Sequence, residues 1–416
     1  MITPAKESAV KTSPQPIFDN LDYWSDPFLN PDALTAGLSL KPEQRWDMAH
    51  SAKFLFSYNG STATFNAYRR EVERLLQWTW GVRDTNLNKL RREDIEAFVQ
   101  FCMDPPPSWT GDKQCARFRN HNGQREANPE WRPFVISQKK NQPEVHSHSL
   151  SQKALQAIFA ILSSFFNYLI QEQYCSSNPV ALIRQKSKFL QKSQNREPIR
   201  RISNFQWDYV LGVAEQLADA DPEHERTLFI INCLLGMYLR ISELVADERS
   251  TPVMGDFRVD HDHNWWFHVV GKGNKARMIT VSDAMLAALK RYRRSLGLTS
   301  LPYPGEQLPL VSKLHGTGPV TSTRQIRYLV QSVFDMTFEK MRSEGLEDEA
   351  TELRSATVHW LRHTGISEDV KLRPREHVKE DAGHSSMATT DKYIDSELRE
   401  RHASGRNKKI KREAHE

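Results

Sequence analysis

His359-Trp360-Leu361-Arg362-His363, then Ala382-Gly383-His384-Ser385-Ser386, then Thr389-Thr390 and Tyr393: these pieces decide how the chain is read. On a helix, positions i and i+3 share a face, so His359 and Arg362 point the same way while His363 turns partly aside. The later pieces add an imidazole and a phenol on neighbouring helices. Upstream, Leu234-Leu235-Gly236-Met237-Tyr238-Leu239-Arg240-Ile241-Ser242-Glu243-Leu244 sets an arginine just beyond an apolar run. Gly271-Lys272-Gly273-Asn274-Lys275 then offers an ammonium at a hairpin tip. In order, Arg240, Lys272, His359, Arg362, His384 and Tyr393 supply guanidiniums, an ammonium, imidazoles and a phenol. That set suits attack of a tyrosine on a phosphodiester, with the phosphorus oxygens neutralised by side chains rather than by metal.

Taken singly, each piece has a plainer reading. Arg240 reads as an ion-pair partner of Glu243, Lys272 as a solvated tip, His363 as a structural partner beside Arg362, and Tyr393 as a core tyrosine. Only the ordered set outweighs these readings.

Composition narrows the classes. At 416 residues the chain is too long for one ordinary domain. A net charge of +5 is only mildly basic, so charge placement matters more than the sum. Basic residues gather in Arg184, Lys186, Lys188, Lys192, Arg196, Arg200 and Arg201, and again between Arg401 and Arg412. Each reads either as a DNA contact or as a solvated linker or tail. Cys102, Cys115, Cys175 and Cys233 form no C-x-x-C pair, which fits a reducing cytosol and no disulfide or zinc framework. His146 and His148 lack further ligands nearby, so no metal is expected. No apolar region follows Lys6 and Lys11, so no secretory signal is expected. The apolar run Leu228 to Leu239 is interrupted by Asn232 and too short for a bilayer; no membrane partner is expected.

The expected organisation is mainly α. Residues 1–42 read as an irregular N-terminal extension that docks through its aromatics. Residues 43–183 read as a helical DNA-binding domain, with helices over Arg45 to Tyr58, from Ser61 through Trp80, over Arg92 to Met103, and from Ser149 through Leu169. An insertion at 104–147 interrupts it, rich in Arg and Trp. It reads equally as a DNA-contacting flap or as a surface insertion packed by its own tryptophans. A basic linker spans 184–201. Residues 202–395 then form a mixed α/β, mostly helical catalytic domain with a small antiparallel sheet. It has helices over Ser203 to Leu217 and Glu223 to Leu239, strands at Trp265 to Val270 and Met278 to Val281, a helix from Ser282 or Asp283, and a long helix from Thr321 to Ser343. Residues 396–416 read as a C-terminal helix and basic tail.

In these motifs the chain resembles the tyrosine recombinases, the phage-integrase and Xer family. That family's Arg in R-x-S-E-L, Lys in a G-K-G hairpin, H-x-x-R, G-H and Tyr are matched by Arg240, Lys272, His359, Arg362, His384 and Tyr393. The resemblance spans about Ser203 to His402, and the region from Arg45 to Ile183 looks like the family's core-binding domain. Tyr238 departs from the pattern, standing where many members have glycine. The loop between Arg240 and Lys272 is lengthened, which makes Lys275 a competitor for the lysine role. Ala382 replaces a common leucine, and the 104–147 insertion lies outside the family's common core.

The resemblance implies a site-specific recombinase that acts on double-stranded DNA without a cofactor. It further implies a homo-tetramer on two DNA sites, working through a Holliday junction, with accessory proteins or partner recombinases as further partners. It also implies a cytoplasmic, nucleoid-associated location and a C-terminal helix packed on a neighbouring protomer. The extension and insertion favour a mobile-element integrase or transposase over a resolvase. A non-cleaving DNA regulator and a type IB topoisomerase are the competing functions.

The expected roles follow from chemistry. A phenol, with a pKa near ~10, needs a base and nearby cations before it attacks. Arg240 and Arg362 offer planar forks to the non-bridging oxygens. Lys272 is the candidate acid for the leaving 5′ oxygen, His359 the candidate base for Tyr393, and His384 a donor to the phosphate.

Overall fold

The computed structural model describes residues 13–28, 40–135, 150–181, 183, 200–271, 273–394 and 405–406. Contacts divide the chain into two compact units, residues 1–194 and 195–416.

The first unit is a helical core. Helices α1 (Pro42–Phe56), α2 (Thr62–Gly81), α3 (Arg92–Met103) and α4 (Gln152–Gln171) supply most of it. Ser61 caps α2, its hydroxyl accepting from the Thr64 amide. Ser151 does the same for α4 through Ala154, so that helix begins past Ser149. Phe65, Val72, Leu75, Leu76 and Trp78 of α2 and Phe159, Leu162, Phe165 and Phe166 of α4 are buried together. By length and composition α4 could cross a bilayer, but this apolar face is packed inside the unit. Phe18 of the N-terminal segment is fully buried in the same core, with Trp24 edge-on to Phe65.

The described residues of the insertion include four short strands. β1 (Thr110–Gly111) pairs in parallel with β4 (Phe134–Val135). Between them β2 (Phe118–His121) and β3 (Gln124–Ala127) form a hairpin. Its turn, Asn122-Gly123, has positive φ at both residues, the geometry for which Asn-Gly is chosen. Trp109 and Phe134 are buried in the unit's core, and Trp109 stands edge-on to Phe101 at 4.9 Å. His146 and His148 lie outside the described residues.

The second unit surrounds α6 (Glu225–Gly236), a helix buried on nearly every side. α5 (Asn204–Ala220), capped by Ser203, packs on it. A three-stranded antiparallel sheet follows, in the order β5 (Phe257–Val259), β6 (Trp265–Gly271), β7 (Lys275–Thr280). β5 adds an edge strand within the stretch read as a lengthened loop. β7 starts at Lys275, earlier than the apolar Met278, because the ladder continues to the Gly271–Lys275 pair at the turn. α7 (Asp283–Ser295, capped by Ser282), α8 (Thr323–Ser343) and α9 (Glu347–Leu353) complete the core. α10 (Val358–Leu372) then lies against α6. Gly365 makes that approach possible, since a Cβ there would overlap the Leu235 carbonyl oxygen. α11 (Arg375–Ala382), α12 (Met387–Thr390) and a 3₁₀ turn, Asp391–Ile394, end the described chain apart from residues 405–406.

Candidate active site

Arg240 follows α6 by way of a turn in the left-handed conformation: Tyr238 has φ +49°. Glycine adopts that backbone freely and a bulky residue does not. The turn directs Arg240 back over Glu243, whose buried carboxylate accepts from the Arg240 amide at 2.8 Å and its guanidinium at 3.0 Å. Arg277 of β7 grips the same carboxylate with both terminal nitrogens, at 2.8 and 2.9 Å. Burial pushes the Glu243 pKa up, but the Arg277 bonds and charge, with Arg240, outweigh it and hold it below the usual value. One anion therefore anchors two cations, and Arg240 extends a second nitrogen to the Gly383 carbonyl at 3.2 Å.

Arg362 is only 3% exposed. One arm donates to the Tyr238 carbonyl and the other to the Ala382 carbonyl at 2.6 Å. Both acceptors are neutral, so neither hydrogen bond pairs the guanidinium with an anion, and the Glu243 carboxylate offsets its charge only from a distance. Burial, then the charge of Arg240, pulls its pKa down to about 10. It still carries its proton at neutral pH, as a concentrated cation suited to an anionic ligand.

Gly383 ends α11 in the left-handed conformation, at φ +63°. A Cβ there would also sit 2.9 Å from Cδ of Arg277. The turn presents His384, whose Nδ1 lies 2.9 Å from the Thr390 hydroxyl. Its ring stacks on Tyr393, with centroids 5.6 Å apart.

Tyr393 is 8% exposed. Burial raises its pKa, and the charges of Arg362 and Arg240 oppose that rise. Its hydroxyl lies 2.7 Å from Nδ1 of His363. His359 sits behind, its ring edge-on to His363 at 4.3 Å. The direct partner of the phenol is thus His363, the residue set aside in the sequence as a structural neighbour of Arg362. The i+4 step from His359 brings both rings to one edge of α10. Burial leads in lowering all three imidazoles, followed by His359 and Arg362 for His363, and by Arg362 and Arg240 for the other two. His363 and His384 fall to about 4. At neutral pH the site holds neutral imidazoles beside positive arginines, a bases-plus-cations arrangement.

The described chain thus gathers Arg240, His359, Arg362, His384 and Tyr393. Lys272 lies outside the described residues, and its competitor Lys275 is exposed at the start of β7. Sequence reading missed His363 and Arg277 as members. His363 was adjacent to a recognised motif, while Arg277 carries no local signal because its role comes from strand pairing. Among the described residues no His, Cys, Asp and Glu group is arranged to hold a metal ion.

Of the expected DNA-contacting residues, Arg184, Lys186, Lys188, Lys192 and Arg196 lie outside the described chain. Arg200 is exposed, and Arg201 lies 3.6 Å from Glu368. A different basic concentration lies in the first unit, a cavity of about 810 Å³ lined by Arg69, Arg70, Arg74, Arg117, Arg125 and Arg132. Asp19, Glu71 and Glu73 pair with some of these. Six guanidiniums against three carboxylates leave a positive surplus.

No family model matches the chain. It is 25% identical over 250 residues to the tyrosine recombinase XerC of Chlorobaculum parvum, covering 56% of this chain and 66% of that protein. It is 33% identical over 203 residues to the XerC of Bradyrhizobium diazoefficiens, covering 44% of this chain and 53% of that one. The matches thus span between half and two thirds of these relatives' length. Among solved structures it is similar to the XerH site-specific recombinase bound to a palindromic difH substrate, in a post-cleavage complex. There the TM-score is 0.56 at 13% identity, over 91% of this chain and 88% of that one. The pre-cleavage XerH complex gives 0.51 at 12% identity, over 95% of this chain and 91% of that one.

Proposed function

We propose that this chain, which has the tyrosine-recombinase fold and resembles that family in sequence, is a site-specific DNA recombinase working through a 3′-phosphotyrosine intermediate. The observation that carries the reading is the Tyr393 hydroxyl held 2.7 Å from an imidazole, under the charges of two arginines.

The chemistry follows from that geometry. With the His363 proton on Nε2, Nδ1 accepts the phenolic proton as the Tyr393 oxygen attacks phosphorus. An anionic phosphodiester on Arg362 cancels one of the charges that depress His363, so substrate itself raises the base toward a useful pKa. Arg362 and Arg240 stabilise charge on the non-bridging oxygens of the phosphorane, and His384 donates to the same oxygens. The bond from phosphorus to the 5′ oxygen breaks, and that oxygen takes a proton from Lys272. The products are a 3′-phosphotyrosine and a free 5′-hydroxyl. Attack by another 5′-hydroxyl reverses these steps on a new strand, with no net change in the number of phosphoester bonds. His359 backs His363 as a second imidazole.

The partner in this proposal is double-stranded DNA, bound in part by the surplus of arginines in the first unit and by the basic run at 184–201. The assembly is a homo-tetramer on two sites, associated with the nucleoid and open to accessory proteins or partner recombinases. A mobile-element integrase or transposase is the favoured role, because the N-terminal segment and insertion add to what strand exchange needs.

The test selects duplex sites by binding from a randomised library, nicks them near the crossover, and incubates them with the chain in EDTA. A covalent adduct that Tyr393→Phe abolishes is expected. If selected sites bind tightly and never yield an adduct, the chain is a non-cleaving binder. Relaxation of a one-site plasmid without exchange between two sites would point to a topoisomerase.

A further inference from the structure

Tyr238 is a bulky residue in a conformation that suits glycine, and it is tied at both ends. Its backbone carbonyl accepts from Arg362. The residue is 1% exposed and belongs to one buried cluster with Ile366, Val378, Ala382 and Tyr393. Its hydroxyl is bonded to the Asp369 carboxylate and accepts from Arg373 at 3.1 Å. Burial, reinforced by the charge of Asp369, raises the phenol's pKa, so it stays protonated and donates to Asp369. Arg373 in turn holds Asp381 at 2.7 Å, and Asp381 accepts from the Thr280 amide of β7 at 3.2 Å. The turn before Arg240, the far end of α10, the end of α11 and β7 are thus closed into one polar frame.

From this frame we infer that Tyr238 is a positioning residue for the strand-transfer chemistry. Its hydroxyl tether holds the left-handed turn so that its carbonyl fixes Arg362 toward the scissile phosphate. The inference rests on the recombinase reading for the chemistry and on the structure alone for the placement of Arg362. The physical need is specific. A non-glycine residue at positive φ gains by rotating back to ordinary backbone, and that rotation swings the carbonyl away from Arg362. A buried ring with a hydroxyl bonded on two sides blocks the rotation. A tyrosine that merely filled space would need no such bonds, and phenylalanine would replace it without loss of rate.

The experiment uses the full chain and its Tyr238→Phe, Asp369→Asn and doubly substituted variants, with three readouts. Single-turnover adduct formation gives the chemical step, DNA titration gives binding, and ¹⁵N NMR of the Arg362 side chain without DNA gives its N–H exchange rate. Tyr238→Phe is expected to slow adduct formation about tenfold or more, as small misplacements of catalytic groups do, at unchanged DNA affinity. Arg362 N–H exchange should rise. Asp369→Asn should act in the same direction, and the double variant should be no slower than the worse single one. Parent-like cleavage with unchanged Arg362 exchange in Tyr238→Phe overturns the inference. If the parent chain forms no adduct, that failure falls on the proposed activity, and the exchange measurement alone still decides whether Tyr238 positions Arg362.

Discussion

Removing the Glu243 carboxylate is the most informative single change, because that group restrains two cations at once. It is 3% exposed and takes four hydrogen bonds, two from Arg240 and two from Arg277. Glu243→Ala leaves Arg277, with its side chain 10% exposed, as a buried charge without its anion. Breaking a buried pair by deleting one partner costs about 3–5 kcal/mol, because the surviving charge is stranded. The Arg240 bonds are worth less, since its side chain is 29% exposed and solvent screens it. The expected loss is therefore about 4 kcal/mol, most of it through Arg277. Urea unfolding of the full chain, followed by a probe in the second unit, measures it. pH supplies an internal control. Glu243 is held below its ordinary pKa, so its stabilisation is present above the unfolded carboxylate value and lost as pH falls through the folded one. The gap between parent and variant should be full at pH 7 and shrink below about 4.5. A loss under about 1 kcal/mol at pH 7 would show that the two arginines do not depend on this anion and refute the reasoning.

Three further outcomes are expected. His363 and His384 sit at about 4 against an ordinary 6.5, so the unfolded chain takes up protons first. Stability of the second unit should therefore fall as pH drops from 7 to 5, and His363→Gln should flatten that fall; an unchanged slope would count against the buried neutral imidazole. Gly365→Ala should destabilise the same unit by about 3 kcal/mol, since the added methyl meets the Leu235 carbonyl and lies 3.1 Å from the Tyr238 ring; a neutral change would mean α10 moves aside freely. Trp109→Ala should cost the first unit about 3–5 kcal/mol while leaving the second unit's transition in place, whereas a shift under about 1 kcal/mol would mark the insertion as peripheral to that core.

Much of the fold was legible because helix signals are local. Ser61, Ser203 and Ser282 each cap the helix that follows, and the apolar spacing of α2 and α4 marks their buried faces. The edge strand β5 was missed because three residues carry too little alternation to stand out from a loop. The hairpin in the insertion did carry its signal, Asn122-Gly123, masked by the surrounding proline, arginine and tryptophan. At the site, Arg240, Arg362, His384 and Tyr393 were readable from motif order. The contact of His363 with Tyr393 depends on where a 3₁₀ turn after α12 sets down against α10, which no local spacing encodes. Arg277 and Asp369 likewise act through partners distant in sequence, at Glu243 and Tyr238. Tyr238 stands out in the sequence only through the resemblance, whereas its positive φ and the Asp369 tether are properties of the folded chain.

The central claim is that Tyr393 becomes joined to DNA through a 3′-phosphate. Its most direct measurement is to isolate the adduct from a nicked site, trim the DNA and locate the modified residue by mass spectrometry, while labelling the released strand end. The account predicts a nucleotide phosphate on Tyr393 and a released 5′-hydroxyl that a kinase labels without prior phosphatase. An adduct on any other residue, or a released 5′-phosphate, would contradict it.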